Sequence, residues 1–88
     1  MSELGPVGKI MESKLQAALS PTRLELIDES AQHHGHAGAH VQGESHFRLR
    51  ISAAELSAKS RVAQHRRIHD ILATELKSRV HALAIEVI

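Results

Sequence analysis

The sequence predicts a small α+β domain built on a three-stranded mixed sheet. Three observations carry this reading. Apolar residues recur at helical spacing near the N-terminus. A seven-residue stretch later alternates strictly between apolar and polar residues. A long amphipathic stretch then leads into an apolar, β-branched end. The 88 residues allow one domain, 1–88, around one core.

The elements follow in chain order. Residues 1–5 read as a flexible N-terminus. Pro6 suits the first turn of a helix, and Ile10, Met11, Leu15, Ala18 and Leu19 fall on one face, so 6–19 reads as an amphipathic helix. Ser20-Pro21 ends it, because the residue before proline is pushed out of the α region. Leu24, Leu26 and their neighbours across 23–29 read as a strand. Residues 31–45 are rich in Gly, Ser and His without periodicity, and read as a mobile loop. In His46 to Ser52, Phe47, Leu49 and Ile51 alternate with Arg48 and Arg50, the pattern of a strand with one buried face. The two strands and the loop between them predict a wide antiparallel hairpin.

Ser52-Ala53-Ala54-Glu55 fits a capping box, with a short helix ending near Ser57. Residues 60–79 then read as one long helix. On a wheel Val62, His65, His69, Leu72, Ala73, Leu76 and Val80 share an arc, with Ile68 at its edge. His81 to Ile88 reads as a buried terminal strand. Two helices between the second and third strands force a crossover, so the last strand runs parallel to the one it joins. The order is α-β-β-α-α-β, with the helices on one face of the sheet.

Composition narrows the function. There is no cysteine, which excludes disulfides, thiolate zinc fingers, a cysteine nucleophile and a self-contained Cys₄ cluster. Phe47 is the sole aromatic residue, which argues against a base-stacking platform. No run approaches the ~18 apolar residues of a membrane span. The N-terminus mixes Glu3, Lys9, Glu12 and Lys14 and lacks the apolar core of a signal peptide, so a cytoplasmic location is expected. Net charge is +1, yet residues 1–45 hold three Lys/Arg against six Asp/Glu and residues 46–88 hold eight against four. The basic excess gathers at Lys59, Arg61, Arg66 and Arg67. Such a patch suits phosphate or an acidic protein face, and equally suits a solvated helix surface. No P-loop, dinucleotide fingerprint or supported catalytic triad is present, and no enzymatic activity is expected.

Eight histidines are the outlier. His33, His34, His36 and His40 lie in the loop, where neutral imidazoles suit borderline metals, although a Gly-spaced solvated loop has the same composition. His65 and His69 stand four apart on a helix but lack the glutamate of a zinc-protease motif. A packed or half-buried structural pair is the better reading. His46 opens a strand and is assigned no chemistry. Read alone, His81 is a partner for a helix C-terminus. Two Gly-x-x-Gly strings, Gly5 to Gly8 and Gly35 to Gly38, do not lie between paired helices and are not nucleic-acid clamps.

Four segments, in order and spacing, give the chain a family likeness. They are Leu24-Glu25-Leu26-Ile27-Asp28-Glu29-Ser30, Gly43-Glu44-Ser45-His46-Phe47-Arg48-Leu49, Lys59-Ser60-Arg61-Val62-Ala63-Gln64-His65-Arg66, and His81-Ala82-Leu83-Ala84-Ile85. Together they resemble the BolA family over nearly the whole chain. The resemblance implies a class II KH-like fold and a monothiol glutaredoxin as partner. It also implies a [2Fe–2S] cluster shared with that partner and glutathione through histidine, and none bound by the free chain. By the same resemblance His81 matches one cluster ligand, and His33, three residues after Ser30, matches the other, with His36 its close rival. Some bacterial members are DNA-binding transcription regulators, so DNA is the alternative partner. Two departures stand out. Leu56-Ser57-Ala58 replaces the family's Phe-x-Gly, and Gln64 replaces a common Arg. A mixed His/Cys cluster is expected to have a higher potential than an all-Cys one and to respond to mild acid, which suits cluster trafficking or iron regulation. The free chain is expected to be a monomer or weak dimer.

Overall fold

A computed structural model describes residues 4–30 and 43–88. In chain order it comprises α1 (Pro6–Leu19), β1 (Arg23–Asp28), β2 (His46–Ser52), α2 (Ala54–Ser57), α3 (Arg61–Ile71), α4 (Ala73–Ser78) and β3 (Ala82–Val87). The strands form one sheet in the order β1-β2-β3. β1 pairs antiparallel with β2, with Leu26 opposite Leu49. β2 pairs parallel with β3, with Leu49 opposite Ile85. This is the expected mixed sheet. No helix among the described residues is long and apolar enough to cross a membrane.

Strand alternation builds the core. Leu26, Phe47, Leu49 and Ile51 share the buried face, where they meet Met11, Leu15 and Leu19 of α1, Leu56 of α2, Ile68 of α3, Leu72 and Val80. The other face carries charge. Arg50 reaches Glu25 of β1 at 3.2 Å and Glu86 of β3 at 3.3 Å, and Arg48 reaches Glu29 at 2.8 Å. Side chains of residues i and i+2 share a face, so one strand supplies both layers.

Three local expectations are corrected. The long helix of 60–79 is two helices, broken at Leu72 with φ −102° and ψ 19°. The buried faces of the two pieces differ, with Ile68 on α3 and Glu75 on α4 turned inward, and Val80 is buried beyond the end of α4. Ile68 lies at the centre of the packing face, Glu75 is buried, and Val62 is 65% exposed. His69 is exposed and His65 half-buried, so neither belongs to an apolar stripe.

The remaining two corrections are smaller. Ser52 caps no helix. It stays in β2, where its carbonyl accepts from the Thr22 N–H at 2.8 Å, and Ala53 stands at the start of α2 without a side-chain cap. β3 is an edge strand rather than a buried one, so its residues alternate between exposed and half-buried. At the departure from the family's Phe-x-Gly, Ala58 has φ −89°, so the turn before α3 needs no glycine and Ala58 carries no steric cost.

Candidate metal site and basic surface

The site begins where β1 ends and β2 begins. Ser30 and Ser45 are both buried, at 5% and 2% exposure. The Ser30 Oγ accepts from the backbone N–H of Ser45 at 2.9 Å and of His46 at 3.2 Å. The Ser45 Oγ lies 3.3 Å from the same oxygen. Asp28 ties the same two ends of chain. Its carboxylate accepts from the N–H of Ser30 at 2.9 Å and of Glu44 at 3.0 Å. Gly43 and Glu44 take the left-handed conformation, with φ 74° and 62°. That turn aims the Glu44 N–H at Asp28 and the Glu44 carboxylate at the N–H of Gly8, 2.9 Å away in the first turn of α1. Residues 31–42 therefore leave and rejoin the described chain at one clasped point.

His81 lies beside that clasp. The Ser45 carbonyl accepts from the N–H of His81 at 2.7 Å and of Ala82 at 3.2 Å, which starts the parallel pairing of β2 with β3. The Ser45 hydroxyl is 2.8 Å from Nδ1 of His46. The rings of His46 and His81 lie nearly parallel, 16° apart in plane, with centroids 6.4 Å apart. Of the expected metal ligands, His81 is thus an exposed imidazole at the end of the sheet. His33 and His36 lie outside the described residues, as do His34 and His40. Gly43, Glu44 and Ser45, the last three residues of the expected loop, are held by the hydrogen bonds above. Among the described residues no three His, Cys, Asp or Glu side chains converge to hold an ion. An ion at His81 accordingly needs donors from elsewhere. The imidazole of His81 is a donor type that fits iron and other borderline metals.

Asp28 is the titrating group the clasp perturbs. Burial alone would raise its pKa. The Ser30 side chain, the backbone N–H groups of Ser30 and Glu44, and the nearby His46 outweigh burial and hold it below the ordinary aspartate value of 3.8.

The basic cluster divides in two. Arg67 lies 2.8 Å from Glu55 and Lys59 4.0 Å from the same carboxylate. Arg61 and Arg66 are exposed. Arg61 also lines a groove of about 310 Å³ with Gln64, His65, Ile85, Glu86 and Val87, between α3 and β3. Sequence order concealed the role of Glu55, which lies before the cluster but folds back against it. It also concealed the contact of Ser45 with His81, because the segment that holds Ser45 meets the start of β3 only in the fold.

Comparison with known proteins places this arrangement. The family described as BolA-like protein matches residues 15–88. The structure of the BolA domain of SufE1 from Arabidopsis thaliana superposes with a TM-score of 0.86 at 45% identity, covering 97% of this chain and 93% of that one. BolA-like protein 1 of Mus musculus is 42% identical over 82 residues, covering 93% of this chain and 57% of that protein. The DNA-binding transcriptional regulator BolA of Escherichia coli (strain K12) is 40% identical over 75 residues, covering 85% of this chain and 68% of that one. The chain thus spans little more than half of the mouse protein.

Proposed function

The chain belongs to the BolA family, and from that premise we propose that it is a non-enzymatic partner of a monothiol glutaredoxin, sharing a [2Fe–2S] cluster with it in iron–sulfur trafficking or iron regulation. One observation carries the reading. The clasp between Ser30 and Ser45 brings both ends of the histidine-bearing segment 31–42 to His81. His81 and either His33 or His36 would supply this chain's ligands. Glutaredoxin and glutathione would supply the thiolates that a cysteine-free chain lacks. The cluster, when bound, would supply electron transfer and a transferable iron–sulfur unit, and protonation of an imidazole ligand would weaken its hold on iron at a mild acidity that thiolate resists.

The test is anaerobic reconstitution with a monothiol glutaredoxin, glutathione, iron and sulfide, followed by visible circular dichroism. The expected spectrum differs from that of the glutaredoxin's own cluster, and is lost in His81→Ala and in one of His33→Ala and His36→Ala. An unchanged glutaredoxin spectrum overturns the reading. It would favour the second one, a DNA-binding regulator. That alternative draws on the Escherichia coli relative and on Arg61 and Arg66, which have no acidic partner among the described residues.

A further inference from the structure

The two edges of the sheet are built differently. β1 carries Arg23, Glu25 and Asp28 among its six residues, and charges on an edge discourage a further strand from pairing. β3 carries one charged residue, Glu86, and no proline. No strand among the described residues pairs with its outer side. We propose that the outer edge of β3 and the groove beside it form a docking site for an extended segment of a partner protein, apolar at alternate positions and bearing a carboxylate that meets Arg61. The inference does not depend on the function proposed above.

Backbone and side chains of β3 are arranged for such a segment. The N–H of Ala82 donates to the Ser45 carbonyl at 3.2 Å and that of Ile88 to the Ile51 carbonyl at 2.8 Å, so even-numbered residues bond to β2. Backbone groups of a strand alternate in direction. The N–H and C=O groups of Leu83, Ile85 and Val87 therefore face the open edge. The side chains of the same three residues pack, half-buried, against the core. Residues of an added strand that lie opposite Ile85 and Val87 would project to that same side. There they enter the groove of about 310 Å³ between α3 and β3, with Ile85 and Val87 below and Arg61, Gln64 and His65 along the helix. An open strand edge beside a side-chain groove is the arrangement in which main-chain hydrogen bonds give affinity and alternate side chains give specificity.

Charge selects the occupant. Glu86, the acid at the groove, lies 3.3 Å from Arg50. Arg61 is exposed and has no acidic partner among the described residues. The groove thus favours a carboxylate. A second copy of β3 would offer it only Leu83, Ile85 and Val87, and would leave Arg61 unmatched.

The test uses the full chain and the acetylated, amidated octapeptide Thr-Val-Thr-Val-Thr-Glu-Thr-Val, which presents valine and glutamate on one face and threonine on the other. Amide hydrogen exchange is read by NMR. The peptide should slow exchange at Leu83, Ile85 and Val87 about tenfold or more, and leave Ala84 and Glu86, already bonded to β2, unchanged. Replacing the peptide's glutamate with lysine, or Arg61→Glu in the chain, should each weaken binding about fivefold, and combining the two should restore it. N-methylating one alternate set of peptide residues should abolish binding, and N-methylating the other should leave it intact. No slowing at about 1 mM peptide, or binding that neither N-methylated set disrupts, overturns the proposal. Slowing of the same amides by raised chain concentration in place of peptide gives the edge to a second copy. Shifts of the groove residues on adding duplex DNA, with none on adding peptide, give the groove to nucleic acid. Either result also overturns the proposal.

Discussion

Asp28 shows how one side chain couples the fold to pH at the place where chemistry is expected. Its carboxylate accepts two backbone N–H groups that flank the undescribed segment, and its pKa is lowered. A carboxyl whose pKa is lower folded than unfolded binds protons more tightly in the unfolded state. Its stabilisation is therefore full above the unfolded value near 3.9 and is lost as pH falls through the folded value. Asp28→Asn should cost about 1–2 kcal/mol at pH 7, from weakened charge-assisted hydrogen bonds. The difference from wild type should shrink on acidification below about pH 4. Urea denaturation at pH 7 and pH 3 measures both, and a pH-independent difference would sink the assignment. At this scale the sequence was partly legible. His81 stood out because family likeness marked it. The likeness ran through Asp28 and Ser45 as well but gave them no role, since their roles depend on a closure between residues far apart in the chain.

At the scale of the element, α1 shows a cap borrowed from across the fold. Gly5 stands at its N-cap position and offers no side-chain oxygen. The anionic partner comes from Glu44, 36 residues from Gly8, to whose N–H it binds. A carboxylate there satisfies an unpaired donor and meets the positive end of the helix dipole. Glu44 also has φ 62°, a conformation costing about 1 kcal/mol or more for a residue with a β-carbon. These two effects oppose each other in mutants. Glu44→Ala loses the cap and keeps the strain, so it should be destabilised by about 1–2 kcal/mol. Glu44→Gly loses the cap but relieves the strain, and should be the more stable of the two by about 1 kcal/mol. Thermal unfolding ranks them, and the reverse order would refute the account. Elements whose signal is local, such as α1 and β2, were legible with correct bounds. The helix of 60–79 was not, because a wheel drawn over both its halves averages two faces that the break at Leu72 sets out of phase.

For the whole molecule, charge decides between the two functions. The C-terminal half is basic by sequence, but folding pairs much of that charge. Glu55 takes Arg67 and Lys59, and the outer face of the sheet takes Arg48 and Arg50. Of the four basic residues singled out from sequence, Arg61 and Arg66 remain without an acidic partner among the described residues. Sequence could count charges but not pair them, since Glu55 meets Arg67 only when α2 folds against α3. Two phosphate contacts release few counterions. The affinity for duplex DNA should therefore fall with salt at a log–log slope of about −1.8. That amounts to roughly a tenfold loss between 50 and 200 mM salt. Fluorescence anisotropy on a labelled duplex measures the slope, and Arg61→Glu/Arg66→Glu should flatten it nearly to zero. A slope of −4 or steeper, with nanomolar sequence-specific binding by the chain alone, would require a basic surface larger than this one. It would shift the weight from a cluster-sharing partner to a regulator that reads DNA.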